Sequence, residues 1–208
     1  AATTKSVINT EVVSSEDGQH RYLLRKEWDK NKSKAMVIMI NPSISGEVVI
    51  DHTTMYVLNN LYNLHFGSVE IVNIFSNVDG SRKTKGISLE VQQENERQII
   101  LSADKVDSII IAWGTIGNFQ KCIQQKQEVL LELLKPYEEK IFHIADGKGE
   151  VGFHPLAPQI RSGWNLVKSS WVERQEDVQI KRTGKVEVIE QMEPVVPAGE
   201  IEDTSNDS

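Results

Sequence analysis

The sequence carries one cysteine, Cys122, among 208 residues. That excludes an internal disulfide framework and a multi-cysteine zinc site. It has no apolar run near the roughly 18 residues needed to span a bilayer, so no membrane partner is expected. Residues 1–15 (AATTKSVINTEVVSS) lack the basic start and long apolar centre of a signal peptide. No internal repeat is visible, and no linker is long enough to separate two domains. Six prolines and thirteen glycines are ordinary counts for this length. These features imply a soluble, cytoplasmic chain whose length suits one domain of about 150–200 residues.

Net charge is also scarce over most of the chain. Residues 185–208 hold seven acids against one base, Lys185, a balance of −6 within a total of −7. Residues 1–184 are left at −1. The acidity belongs to the tail, and a nearly neutral body can still present a local basic patch. The expected organisation is an N-terminal extension over 1–19, one α/β domain over 20–190, and an acidic tail over 191–208. The tail has too little apolar surface to offset the cost of ordering.

What is present is a series of short apolar runs. Residues 35–40 (AMVIMI), 69–75 (VEIVNIF), 108–113 (SIIIAW) and 140–145 (KIFHIA) are continuous rather than alternating. Such strands are buried on both faces, as in a parallel sheet between helices. Residues 21–28 (RYLLRKEW) are mixed and read as an N-terminal edge strand. Helical spacing appears over 53–64, 88–103 and 116–134, the last stopped by Pro136. Cys122 falls on the apolar stripe of that third helix and reads as core rather than nucleophile. Residues 177–190 alternate around Thr183-Gly184, a hairpin pattern. The order predicts a three-layer α/β/α fold with a central, mainly parallel four-stranded sheet plus the edge strand.

Ligands of open parallel sheets bind beyond the carboxyl ends of the strands. The first run ends in Asn41-Pro42-Ser43. An Asn fixed by a following proline can aim its amide at a ligand or a water, or can simply start a turn. Asp51 either caps the next helix, a role Thr53 could share, or serves as a base. The second run holds Asn73 and Phe75. The third ends in Trp113-Gly114, where glycine permits close packing of strand on helix or the approach of an anion. The fourth leads to His154-Pro155, a loop histidine suited either to donate to a ligand or to brace its loop.

Other chemistries are disfavoured. There is no P-loop lysine, no dinucleotide fingerprint and no G-x-S-x-G elbow. The remaining histidines share no metal-ligand spacing, so neither a cofactor nor a metal is expected. Arg82, Lys83 and Lys85 follow the second run. Arg161 and Lys168 follow the histidine loop, and Arg21, Arg25, Lys26, Lys30, Lys32 and Lys34 lie early. Together these bases read as a phosphate-attracting rim or as ordinary solvated surface.

Arg21-Tyr22-Leu23-Leu24-Arg25, Trp28, Ile38-Met39-Ile40-Asn41-Pro42-Ser43, Asp51-His52-Thr53-Thr54, Val72-Asn73-Ile74-Phe75, Ala112-Trp113-Gly114 and His154-Pro155-Leu156 occur in this order. The set resembles a bacterial and phage family, domain of unknown function 1643, over about residues 20–165. More distantly it is similar to the uracil-DNA glycosylase superfamily. Asn41-Pro42 resembles that superfamily's water-activating loop, and His154-Pro155 its second loop. Asn73 stands where a base-recognising Asn is found. Met39 and Ile40 replace the usual small residue, and Leu156 replaces the usual Ser.

The resemblance implies a uracil-DNA glycosylase-like fold, in the host cytoplasm if the chain is phage-encoded. It also implies recognition of a nucleobase, nucleotide or DNA, with hydrolysis of an N-glycosidic bond. In that reading Asn41, His154 and Asp51 are catalytic, while Pro42, Ser43, Asn73, Phe75, Trp113 and Gly114 contact the substrate. The alternative is a noncatalytic binding protein that engages nucleic acid, or a protein partner through the acidic tail.

Overall fold

A computed structural model describes residues 1–80, 87–115 and 121–169. The helix expected to start at 116, the basic residues Arg82, Lys83 and Lys85, the 177–190 hairpin and the acidic tail lie wholly or partly outside the described residues. The strands are β1 (Asn9–Ser14), β2 (Arg21–Glu27), β3 (Lys34–Met39), β4 (Ser68–Asn73), β5 (Ser108–Ile111), β6 (Ile141–Ala145) and β7 (Asn165–Lys168). The helices are α1 (His52–Asn63), α2 (Leu89–Lys105) and α3 (Lys121–Leu134), with a 3₁₀ turn over Lys135–Lys140.

The fold is α/β, built on a seven-stranded mixed sheet in the order β1-β2-β4-β3-β5-β6-β7. β3 pairs in parallel with β4 and with β5, and β5 pairs in parallel with β6. β2 joins β4, β1 joins β2, and β7 joins β6, all antiparallel. The sheet is thus wider than the four strands and one edge expected. β1 comes from the segment expected as an N-terminal extension, and β7 follows Trp164. Neither shows a continuous apolar run, because each lies at an edge and buries only part of its surface.

The expectation for residues 21–28 also needs correcting. β2 is internal, covered on its outer side by β1. Its charged residues misled because two of them are buried. Lys26 reaches Thr10 Oγ1 at 3.1 Å and the Glu47 carbonyl at 3.3 Å. Arg25 stays nearer the surface and pairs with Glu27 at 2.8 Å and with Glu11 at 3.7 Å.

Residues two apart in a strand share a face. Ala35, Val37 and Met39 of β3 join Val69 and Ile71 of β4, Ile110 of β5 and Ile144 of β6 in one core cluster. Val57 and Leu61 of α1 complete it, with Ile160 and Trp164 from the long loop after β6. The intervening residues Met36, Ile38, Ile109 and Ile111 are equally buried on the other face. Each such side chain contributes roughly 1.5–3 kcal/mol, so the central strands carry much of the stability.

Local signals set the helix ends. Asp51 Oδ1 accepts the Thr54 N–H at 2.7 Å and starts α1. Ser88 Oγ accepts the Val91 N–H at 3.3 Å and starts α2, with Glu90 in the first turn and Lys105 in the last. α3 stops at Leu134, two residues before Pro136, as expected. Cys122 does not lie in the core: it is exposed, and Ile123 beside it is buried. The apolar stripe of α3 runs through Ile123, Leu130 and Leu134. It passes one position to the side of the cysteine.

Candidate functional site

The carboxyl ends of β3, β4 and β5 are bonded beyond their regular ladders. Ile74 N–H donates to Met39 O, Phe75 N–H to Ile40 O and Ala112 N–H to Ile38 O, each at 2.9 Å. These bonds fix the residues that follow. Asn41 is half-buried, Pro42 is buried, and Ser43 opens the loop to α1. Phe75 is buried, and Trp113 is half-buried after β5.

Gly114 has φ +70°, a left-handed conformation that suits glycine. A Cβ built there would lie 3.1 Å from His154 Cβ. The loop after β6 therefore packs directly on the loop after β5. His154 is half-buried and begins a tight turn in which Ala157 N–H donates to His154 O at 2.8 Å. Leu156 N–H donates to His154 Nδ1 at 3.2 Å. A nitrogen that accepts a backbone N–H carries no proton, so the neutral ring holds its proton on Nε2.

Asp51 joins these loops electrostatically. Burial lowers the His154 pKa below its ordinary 6.5, and the opposing attraction comes from Asp51. The imidazole is therefore neutral near pH 7. Burial alone would raise the Asp51 pKa. Hydrogen bonds from the Thr54 N–H and from the Ser43 and Ser45 hydroxyls outweigh it, and hold the carboxyl below its ordinary 3.8. Asp51 is thus an ionised helix cap. Its backbone N–H also donates to Ser45 Oγ at 2.9 Å. The capping role anticipated for Asp51 is the one it occupies.

Asn73 is the last residue of β4 and the register partner of Met39. It therefore shares the face that carries α1. It is 1% exposed, and its Nδ2 has no hydrogen-bond partner. Its carbonyl accepts from Asn95 Nδ2 at 3.0 Å. Arg161, anticipated as a phosphate contact, is exposed and braces the histidine loop. Its Nε donates to Leu156 O at 2.7 Å, and its guanidinium lies 6.0 Å from the Tyr56 ring centre on α1.

Two further residues shape this edge: Arg21, weighed from the sequence only as one of several surface bases, and Asn95, which was not anticipated. Arg21 is buried, and its Nη1 donates to Ser43 O at 3.1 Å and to Ser45 O. Burial lowers its pKa, opposed by the attraction of Asp51. Asn95 bridges α2 to the end of β4, bonding both Asn73 O and Ile74 O. Arg21 opens a run that reads as a strand, and Asn95 lies inside a charged helix. Neither setting marks a polar residue as buried.

A separate cleft lies between α2, α3 and the segment after β4. Phe75, Asn77, Asn95, Ile99, Lys126 and Leu133 help to line it. Phe75 belongs to this cleft, whereas Asp51 and His154 do not. Among the described residues no cluster of three or more potential ligands could hold a metal. No helix there is long and apolar enough to cross a membrane.

A family model described as a protein of unknown function, DUF1643, matches residues 21–156. The chain belongs to the DUF1643 family. The DUF1643 match begins at Arg21 and ends two residues past His154, so it spans every strand that positions the site. No curated protein and no solved structure matches the chain.

Proposed function

We propose that this DUF1643 chain recognises a nucleobase at the carboxyl edge of β3, β4 and β5 and hydrolyses its N-glycosidic bond. The observation that carries the reading is the state of His154: a neutral, half-buried imidazole with its proton on Nε2, beside Asp51 and against Gly114. Supporting it are the parallel pairings β4-β3-β5-β6, read as the centre of a three-layer, uracil-DNA glycosylase-like arrangement.

Breaking an N-glycosidic bond leaves positive charge on the sugar and negative charge on the departing base. The His154 Nε2–H donates to the base oxygen as that charge grows. Donors fixed in this way contribute about 2.7–4 kcal/mol to such transition states. Asn41, fixed by Pro42, positions the attacking water, whose proton ends on the departing base anion as the new C–O bond forms. Asp51 places a fixed negative charge near the sugar cation, and its hydrogen bonds make it a poor proton acceptor. Trp113, half-buried after β5, supplies a face for stacking.

The test offers nucleosides, nucleotides and modified DNA to the protein and follows free base by mass. Release by wild type that is lost in Asn41→Ala and His154→Gln supports the reading. Release unchanged in both variants removes it.

The second reading is a noncatalytic binding protein for nucleic acid or a protein partner. One observation favours it: Asp51, the carboxylate that acts on His154, is already occupied as a helix cap. Binding without release, lost on deleting residues 191–208 but kept in the two site variants, would select it.

A further inference from the structure

Two cations are almost fully buried among the described residues, Arg21 at 4% exposure and Lys26 at 2%. Their surroundings differ. Lys26 reaches Thr10 Oγ1 and the Glu47 carbonyl. Arg21 spends only Nη1, on the carbonyls of Ser43 and Ser45. Its Nε and Nη2 have no acceptor. Among the described residues no carboxylate forms an ion pair with it. A buried charge with three of its five N–H donors unmet is costly unless something else meets them.

The placement of Arg21 follows from an irregularity. Val13 pairs with Leu23 and Ser14 with Arg21, so Tyr22 is an extra residue in β2. Such a bulge turns the next side chain to the opposite face. Arg21 then shares the face of Val12 and Leu24, where α1 and the Ser43–Ser45 loop lie. Asn73 sits on that face too, on the neighbouring strand, with its own buried Nδ2 unpartnered. The Arg21 N–H donates to Ser76 O at 2.9 Å, so Arg21 lies across from the segment that follows Asn73. Arg21 Nε, Arg21 Nη2 and Asn73 Nδ2 are all donors, and together they offer five N–H groups.

We propose that Arg21 and Asn73 form an oxyanion site, and that its occupant is the phosphate of a mononucleotide. A phosphate monoester presents three terminal oxygens, which suit a side-on guanidinium fork and an amide better than two carboxylate oxygens do. The Arg21 donors lie behind the Ser43–Ser45 part of the 43–50 loop, and a terminal phosphate reaches them only when that loop moves. A phosphodiester inside a polymer would need two exits. Entry requires that loop to lift, and its Ile44 and Val48 side chains are already 82% and 87% exposed. The inference rests on the nucleobase reading of the neighbouring residues, to which it adds the substrate class.

The test follows the Arg21 Nε–H resonance of the full chain during titration with inorganic phosphate and ribose 5-phosphate. Calorimetry then compares nucleoside 5′-monophosphates with the matching nucleosides. A saturable downfield shift is expected, with monophosphates bound roughly tenfold or more tightly than nucleosides. Arg21→Gln should erase that preference. If it fails to fold, Arg21→Lys serves, because it keeps the charge but loses the fork. An unmoved Arg21 resonance, or a preference that survives in the variant, overturns the inference. If phosphate moves Arg21 and no nucleoside competes, the oxyanion site stands and the nucleobase reading fails. If nucleosides bind and phosphate leaves Arg21 unmoved, the reverse holds.

Discussion

Replacing Gly114 with alanine strains two things at once. The backbone at φ +70° must hold an L side chain, which costs roughly 1–2 kcal/mol. The new Cβ would also lie 3.1 Å from His154 Cβ, so the histidine loop must yield by a few tenths of an ångström. Together these should destabilise the fold by about 1–3 kcal/mol. In a chain of this size that is a fall of roughly 2–12 °C in Tm. Two glycines bracket the expectation. A Cβ at Gly163 meets nothing within 4 Å, so Gly163→Ala should be nearly neutral. A Cβ at Gly67 would lie 1.9 Å from the Asp29 carbonyl, so Gly67→Ala should be far worse than Gly114→Ala. Calorimetric melting of the three variants gives the ranking. The proposed base release should also fall in Gly114→Ala, measured well below its Tm. A Gly114→Ala protein as stable as Gly163→Ala would refute the contact between the two loops.

Asp51→Ala should cost about 0.5–2 kcal/mol in denaturant unfolding, because the α1 cap is lost, and Asp51→Ser should recover most of it. The lowered Asp51 pKa makes its contribution present above 3.8 and lost as pH falls through the folded value, so the Asp51→Ala penalty should shrink in acid. For His154 the folded pKa is also lowered. Below 6.5 the unfolded chain binds a proton that the folded chain refuses, so stability falls with pH until the folded value is reached. His154→Gln should remove that slope, read as the wild-type minus variant difference in unfolding free energy across the range. Leu61→Ala, at a fully buried α1 position, should cost about 2–5 kcal/mol by the same measurement.

The central strands were legible because burial on both faces leaves a continuous apolar run, as in 35–40 and 108–113. β1 and β7 were not, since an edge strand with one exposed side shows no such run. β2 was misplaced at the edge because Arg21 and Lys26 look solvated in sequence, while the fold supplies carbonyl acceptors from the 43–47 loop. Cys122 was misread because a helical stripe one residue out of phase exposes it. At the site, the residues following β3, β5 and β6 could be named from the rule that ligands meet strand ends. The need for glycine at 114 depends on a contact between loops 40 residues apart in sequence, 114 to 154, and the tautomer of His154 on the turn its own loop makes. The bulge at Tyr22 that turns Arg21 inward leaves no mark in composition or periodicity.

The account turns on a neutral imidazole at position 154 that carries its hydrogen on the nitrogen away from the Leu156 amide. Long-range proton–nitrogen NMR of the His154 ring near neutral pH reads both properties. The expected spectrum is that of the Nε2–H tautomer, with protonation only below 6.5. A ring protonated on Nδ1, or an imidazolium persisting to neutral pH, would contradict the account.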